Sequence, residues 1–195
     1  MARPQNPQRK PQLLEDILAY LQDKNLADLS FRPLAEALGI SSYMLVYHFG
    51  HREQLLEEIV QRVEADLSAP SPEQLAGLAV PELRQLLLQV WEQSQKPHSR
   101  ALQRLGFEAS IQQAAARHNT DPAPPLRPPG FVRWRDAATG WLRARGAGEQ
   151  TAAAEGTLFA AGVCGLWFGQ VVADQAGEPA AAFSLLLERF LAAAA

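Results

Sequence analysis

The sequence predicts an all-α fold, with a small N-terminal helical unit followed by a larger helical domain. Three observations carry this. Apolar residues recur at intervals of three and four along most of the chain, which places them on one face of a helix. No run alternates with period two and β-branched enrichment, as a half-buried strand does. Clusters of proline and glycine fall between the periodic runs, where helices must stop. The chain has 195 residues, 47% apolar and 20% charged. That is an ordinary globular composition, which excludes a disordered chain, a collagen-like repeat and a disulfide-built miniprotein.

From Gln12 onward, Leu13, Leu14, Ile17, Leu18 and Leu21 share a face, and Asn25 closes this first helix. Ser30 is placed to cap a short second helix reaching Leu38, with Leu34, Ala35 and Leu38 inward. Gly39 supplies the turn, because glycine takes a left-handed conformation without steric cost. Ser41 caps a third helix that turns Leu45 and Phe49 inward. After Gly50 a fourth carries Leu55, Leu56, Ile59, Val60, Val63 and Leu67 on one side. Ala69-Pro70-Ser71-Pro72 breaks the pattern. Leu83, Leu86, Leu87, Val90 and Trp91 then predict a helix that stops before Pro97, and Leu102, Leu105, Ala109 and Gln112 another. Residues 121–130 hold five prolines and predict an irregular loop. Phe131, Trp134, Ala138, Trp141 and Leu142 resume helical spacing until Gly146-Ala147-Gly148. Two last helices cover 149–175 and 179–194, for eight or nine in all. The expected domains are 10–60 and 61–195.

The lone Cys164 can form no internal bridge, so no oxidising compartment is needed. Arg3, Arg9 and Lys10 are followed by an apolar stretch interrupted by Glu15 and Asp16, unlike a signal peptide, and a cytoplasmic protein is expected. Residues 156–173 carry no charge and reach the lower length of a membrane span. Glu155 and Asp174 flank the run and no Lys/Arg cluster orients it, so a buried core or dimer helix is expected and no membrane. Residues 1–66 hold 7 Lys/Arg against 10 Asp/Glu, so any nucleic-acid role must rest on a local cluster rather than on a global field.

A helix, a tight glycine turn and a second helix, packed on a preceding amphipathic helix, form a helix-turn-helix. Here the unit leaves Ser41, Ser42, Tyr43 and Tyr47 on the outer face of the third helix, whose first turn points at base edges when it lies in a major groove. The segment from Ser30-Phe31-Arg32-Pro33-Leu34-Ala35-Glu36-Ala37-Leu38-Gly39-Ile40-Ser41 to Leu45-Val46-Tyr47-His48-Phe49-Gly50-His51-Arg52-Glu53-Gln54-Leu55-Leu56 resembles the DNA-binding domain of the tetracycline-repressor (TetR) family. The match runs from about Leu13 to Val63, while the remainder is similar in architecture alone.

The resemblance implies phosphate contacts for Arg32 and Arg52, base-edge or sugar contacts for Ser41, Ser42 and Tyr43, and backbone or base contacts for Tyr47 and His48. Arg9 and Lys10 would reach a minor groove or flanking phosphate from an arm. Ser42 and Tyr43 stand where lysine and glycine are common in the family, and Val46 where an aromatic is common, so no relative's operator transfers. His48 is equally suited to packing on the first helix.

Beyond residue 60 the resemblance implies a ligand-binding and dimerisation domain. In similar proteins the last two helices pair with a second subunit, and Phe183, Leu186, Leu187, Phe190, Leu191 and Ala194 form a stripe suited to that. Trp91, Phe107, Phe131, Trp134, Trp141, Trp167 and Phe168 supply more aromatic surface than a simple bundle needs. Trp91, Phe107, Trp134, Trp141 and Trp167 are the candidates for a pocket taking an apolar or aromatic small molecule, with burial as plain core residues the alternative for each. Arg100, Arg104 and Glu108 fall on one helical face, the pattern of a solvated salt-bridging stripe.

Catalysis has no support. Gly146-Ala147-Gly148 follows no strand and lacks the third glycine of a dinucleotide fingerprint, and there is no P-loop or nucleophile elbow. His98 and His118 do not make a local metal pair, and Cys164 lies in an apolar run. The expectation is a ligand-released transcriptional repressor that binds double-stranded DNA as a homodimer, with no cofactor, metal or catalytic residue. The alternative is a helical dimeric interaction protein that does not bind DNA, and an enzyme comes third.

Overall fold

A computed structural model describes residues 8–66, 70–117, 130–173 and 179–193, and over these it contains ten α-helices, one 3₁₀ turn and no strand. Helix α1 (Arg9–Leu21) buries Leu13, Leu14, Ile17, Leu18 and Leu21, the stripe that its spacing predicts. It begins before Gln12 and ends at Leu21, and the 3₁₀ turn Leu26–Asp28 then occupies a stretch that read only as a connection. Next come α2 (Phe31–Ala37) and α3 (Ser42–Phe49). Helix α4 (Arg52–Asp66) leaves this unit with Leu55, Leu56, Ile59 and Val63 buried, and runs along α7 (Pro97–Arg117). It runs without a break across the expected boundary at residue 60. Leu67 and Ala69 lie outside the described residues.

The proline break conceals a short helix, α5 (Pro72–Ala76). Ser71 Oγ accepts from the Gln74 amide at 3.3 Å, and Gln74 Oε1 accepts from the Ser71 amide at 2.7 Å, a reciprocal cap. Pro72 takes the first helical position, where the N–H it lacks has no intrahelical partner anyway. This element accounts for ten helices among the described residues where the spacing suggested eight or nine, and Ser71-x-x-Gln74 is the capping signature by which the sequence could have shown it.

Helix α6 (Val80–Ser94) precedes α7, and α8 (Phe131–Ala144), α9 (Glu149–Ala173) and α10 (Pro179–Ala192) complete the larger domain. The expected loop at 121–129, and Ala194, lie outside the described residues. Helices α8 and α9 pack tightly at Gly156, where a Cβ would fall on Thr139 Oγ1 and 2.9 Å from the Arg135 carbonyl. By length and composition α9 is apolar enough to cross a membrane. It buries Ala152, Phe159, Ala160, Val163, Cys164 and Trp167, as the core helix of a bundle does.

The aromatic residues build this core. Trp91 stacks on Phe183 and Phe159 on Phe190, each pair with ring centroids 4.4 Å apart, and Trp141 tilts over Phe190 at 5.6 Å. This corrects the expected dimer stripe. Phe183, Leu187 and Phe190 are 0–3% exposed within the single chain, and Leu186 packs against Gly162. Helix α10 turns its bulkiest residues toward α6 and α9, because those helices present the complementary aromatic faces.

Of the expected solvated stripe Arg100 is exposed, whereas Arg104 and Glu108 are docked. The Arg104 guanidinium donates to the carbonyls of Leu21, Gln22 and Lys24 at 2.9–3.1 Å, and Glu108 Oε2 accepts from the Leu26 amide at 2.8 Å. A cation thus covers the C-terminal carbonyls of α1, where the helix dipole favours positive charge.

Candidate nucleic-acid interface

The helix-turn-helix unit is built by two caps and a small residue. Ala35 is 3% exposed, which allows α2 and α3 to cross closely. Gly39, at φ 64°, ends α2 in a Schellman turn, with the Ile40 amide donating to the Ala35 carbonyl at 3.0 Å and the Gly39 amide to the Glu36 carbonyl at 3.2 Å. Ser41 Oγ accepts from the Met44 amide at 3.3 Å and starts α3. Leu45, 0% exposed, and Phe49, 3%, hold the inner face of α3 to the core.

The opposite face is open. Tyr43 is 75% exposed, Tyr47 58% and Val46 49%, and Ser41 and Ser42 are exposed beside them. Tyr43 and Tyr47 stack with ring centroids 6.5 Å apart, and His48 meets the Tyr47 ring edge-on at 5.0 Å. His48 is half-buried and also lies 6.3 Å from Phe49, so it joins the outer ring pair to the inner one. Arg32 is exposed on α2.

Three cations are placed differently from what the resemblance implies. Arg9 Nη2 lies 3.9 Å from Met44 Sδ, and Lys10 pairs with Glu58 while its ammonium sits 5.6 Å from the Phe49 ring centroid. Both belong to the first turn of α1 rather than to an arm. Arg52 turns inward. Its Nε donates to the Leu29 carbonyl and its Nη2 to the Leu26 carbonyl, both at 3.1 Å, and Nη2 also donates to Gln112 Oε1 at 2.6 Å. The reason is geometric, since these acceptors surround the start of α4. At that end Glu53 is held below the usual carboxylate range, first by a backbone N–H and then by His51, whose Nδ1 lies 3.0 Å away.

In the larger domain Trp91, Phe107, Trp134, Trp141 and Trp167 are all at most 5% exposed. Trp134 meets Trp167 and Phe159 edge-on at 6.0 and 5.8 Å, and Phe107 meets Phe168 at 5.3 Å. Two indoles are satisfied, Trp141 by the Leu78 carbonyl at 3.1 Å and Trp167 by Ser94 Oγ at 3.2 Å. Trp134 Nε1, Gln103 Oε1, Ser110 Oγ and Gln170 Oε1 are buried without a hydrogen-bond partner. The polar groups on α7 and α9 escaped the sequence reading, which followed aromatic residues alone. A cleft of about 490 Å³ opens between α4 and α8, lined by Gln61, Glu64, Ala65, Gly130, Val132 and Arg133, and none of the five aromatics lines it. Burial raises the Glu64 carboxyl there, and Arg133 opposes that shift. Among the described residues no three His, Cys, Asp or Glu side chains group as metal ligands.

The described residues have the fold of solved TetR-family transcriptional regulators. A TetR family transcriptional regulator from Pseudomonas syringae pv. tomato superposes with a TM-score of 0.67 at 17% identity, over 96% of this chain and 97% of that one. NalD, the secondary repressor of the MexAB-OprM multidrug efflux pump in Pseudomonas aeruginosa, gives 0.63 at 16% identity, over 96% and 98%. A TetR variant from Acinetobacter baumannii in complex with minocycline gives 0.52 at 20% identity, over 94% of each chain. No family profile matches the sequence, and no curated protein matches it.

Proposed function

We propose that this chain is a DNA-binding transcriptional repressor, a cytoplasmic homodimer released from a near-palindromic operator by a small molecule. The observation that carries the reading is the outer face of α3. Two stacked tyrosines and two serines project there from a helix whose inner face is locked by Leu45 and Phe49. Such a helix fits a major groove, where Ser41, Ser42, Tyr43 and Tyr47 meet bases and Arg32 meets a phosphate. His48 serves as a backbone or packing contact beside them.

Twofold pairing is supported by an exposed apolar stripe. Leu158, Phe168 and Val172 of α9 and Leu185 of α10 are 42–64% exposed, and a Cβ at Gly165 or Gly169 would meet nothing within 4 Å. A twofold pair held through this stripe would carry two copies of α3, as half-sites about 34–36 Å apart require.

The effector reading is supported by the buried aromatics of residues 61–195 and by the unpartnered Trp134, Gln103 and Ser110 groups, which a ligand with an apolar body and a few polar atoms would satisfy. The minocycline complex of one structural neighbour is a precedent for that fold. To weaken DNA binding about 100-fold the effector must favour the released state by about 2.7 kcal/mol.

The test is selection of a binding sequence from a random duplex pool. A near-palindromic consensus is the expected result. Recovery of no sequence favours the alternative, a helical interaction protein without a DNA role.

A further inference from the structure

We infer that Arg52 and Arg104 form an interdomain latch that fixes the helix-turn-helix unit against α7, making Arg52 a positioning residue and not a phosphate ligand. The inference rests on the DNA-binding reading only for its effect on affinity; the latch itself stands on geometry.

Residues 104, 108 and 112 lie one turn apart on α7, and all three grip the same short segment. Arg104 donates to the carbonyls of Leu21, Gln22 and Lys24. Glu108 pairs with Arg104 at 2.5 Å and accepts from the Leu26 amide. Gln112 Oε1 accepts from Arg52, which also donates to the carbonyls of Leu26 and Leu29. Backbone groups from Leu21 to Leu29 are thereby held by side chains of α4 and α7. This segment joins α1 to α2, so its position sets the placement of α2 and α3. A helix-turn-helix tied to α7 at both Arg52 and Arg104 cannot rotate without breaking charge-assisted hydrogen bonds.

Lysine separates the two roles for Arg52. An ammonium replaces a guanidinium as a charge opposite phosphate, but it cannot reach Leu29, Leu26 and Gln112 in the planar fork. Removing one phosphate ligand makes the slope of log K against log salt shallower by about 0.9, or about 1.8 per dimer.

The experiment compares wild type with Arg52→Lys, Arg52→Met, Gln112→Leu and Arg104→Met. The readouts are thermal melting, operator affinity at several salt concentrations on the duplex selected by wild type, and hydrogen exchange at Leu26. The latch predicts that Lys and Met at position 52 weaken binding alike, by at least about fivefold, with an unchanged salt slope, and that Gln112→Leu follows them. It also predicts Leu26 amide exchange at least about tenfold faster in Arg104→Met, with the global melt retained. Wild-type binding by Arg52→Lys, with a slope about 1.8 shallower in Arg52→Met, makes Arg52 a phosphate ligand and overturns the inference. Unchanged affinity throughout, or unchanged Leu26 exchange, overturns it too. If wild type selects no sequence the DNA reading fails, and the exchange result alone decides the latch.

Discussion

Tyr43 and Tyr47 stand one helical turn apart on the exposed side of α3, their rings stacked with 29° between planes and their inner-face neighbour Leu45 wholly buried. Rings so placed contribute little to folding. Tyr47→Ala is expected to shift stability by no more than about 0.5 kcal/mol, as at exposed sites generally. It is also expected to weaken operator binding by about 1–3 kcal/mol, the worth of a good base contact. Thermal melting and fluorescence anisotropy on one sample check both. An unfolded variant, or one with normal affinity, removes Tyr47 from the contact face.

Arg32→Ala should act differently. If Arg32 neutralises a phosphate, its loss weakens binding on every sequence and lowers the salt slope by about 1 per site. A change confined to one base position in the operator would make Arg32 a base contact instead.

Gly39 is constrained by conformation alone. A Cβ there meets nothing within 4 Å, but the residue sits at φ 64°. Gly39→Ala should therefore cost about 1–2 kcal/mol from the left-handed backbone. For a chain of this size that lowers Tm by about 2–4 °C per kcal/mol. A neutral substitution would show that the Schellman turn is not retained.

The exposed stripe and the buried one are distinguishable by charge. Phe168→Asp, alone or with Leu158→Asp, should give a folded monomer in sedimentation velocity, because both side chains are exposed in the single chain. Phe183→Asp should unfold the protein, since an unpaired carboxylate would replace the ring stacked on Trp91. A folded monomer from Phe183→Asp would restore the stripe first expected from the sequence.

Cys164 should be inert. Burial pushes its thiol up to about 12, while an unfolded cysteine ionises near 9. Reaction with a disulfide probe at pH 8 should track global unfolding and accelerate only in denaturant. The neutral thiol suits the folded state, so its contribution to stability is full below pH 9 and is lost as pH rises from there toward 12. Rapid modification of native protein would place the thiol outside the core.

The helices were legible because amphipathic spacing in α1, α2, α4 and α8 is a local property, and so were Gly39 and Ser41, whose turn and cap act within a few residues. What failed was direction in three dimensions. The Phe183, Leu187, Phe190 stripe has the spacing of an interface, but spacing cannot say whether the partner face is another subunit or α6 and α9. Arg104 and Glu108 read as solvated because their hydrogen-bond partners, carbonyls for Arg104 and the Leu26 amide for Glu108, lie about eighty residues earlier in the chain. Arg52 had the same problem, since Gln112 is sixty residues away. Helix α5 was hidden for a different reason, as Pro70 and Pro72 read as a break although Pro72 opens the helix.

The most direct test of the account is anisotropy of the selected duplex against a scrambled one, titrated with wild type and Tyr47→Ala at several salt concentrations. Two subunits per duplex are expected, with tight binding to the selected sequence alone, weakening steeply with salt and abolished or strongly reduced in Tyr47→Ala. Equal binding of both duplexes by wild type, or selective binding that survives Tyr47→Ala and Tyr43→Ala together, would contradict a sequence-reading role for α3.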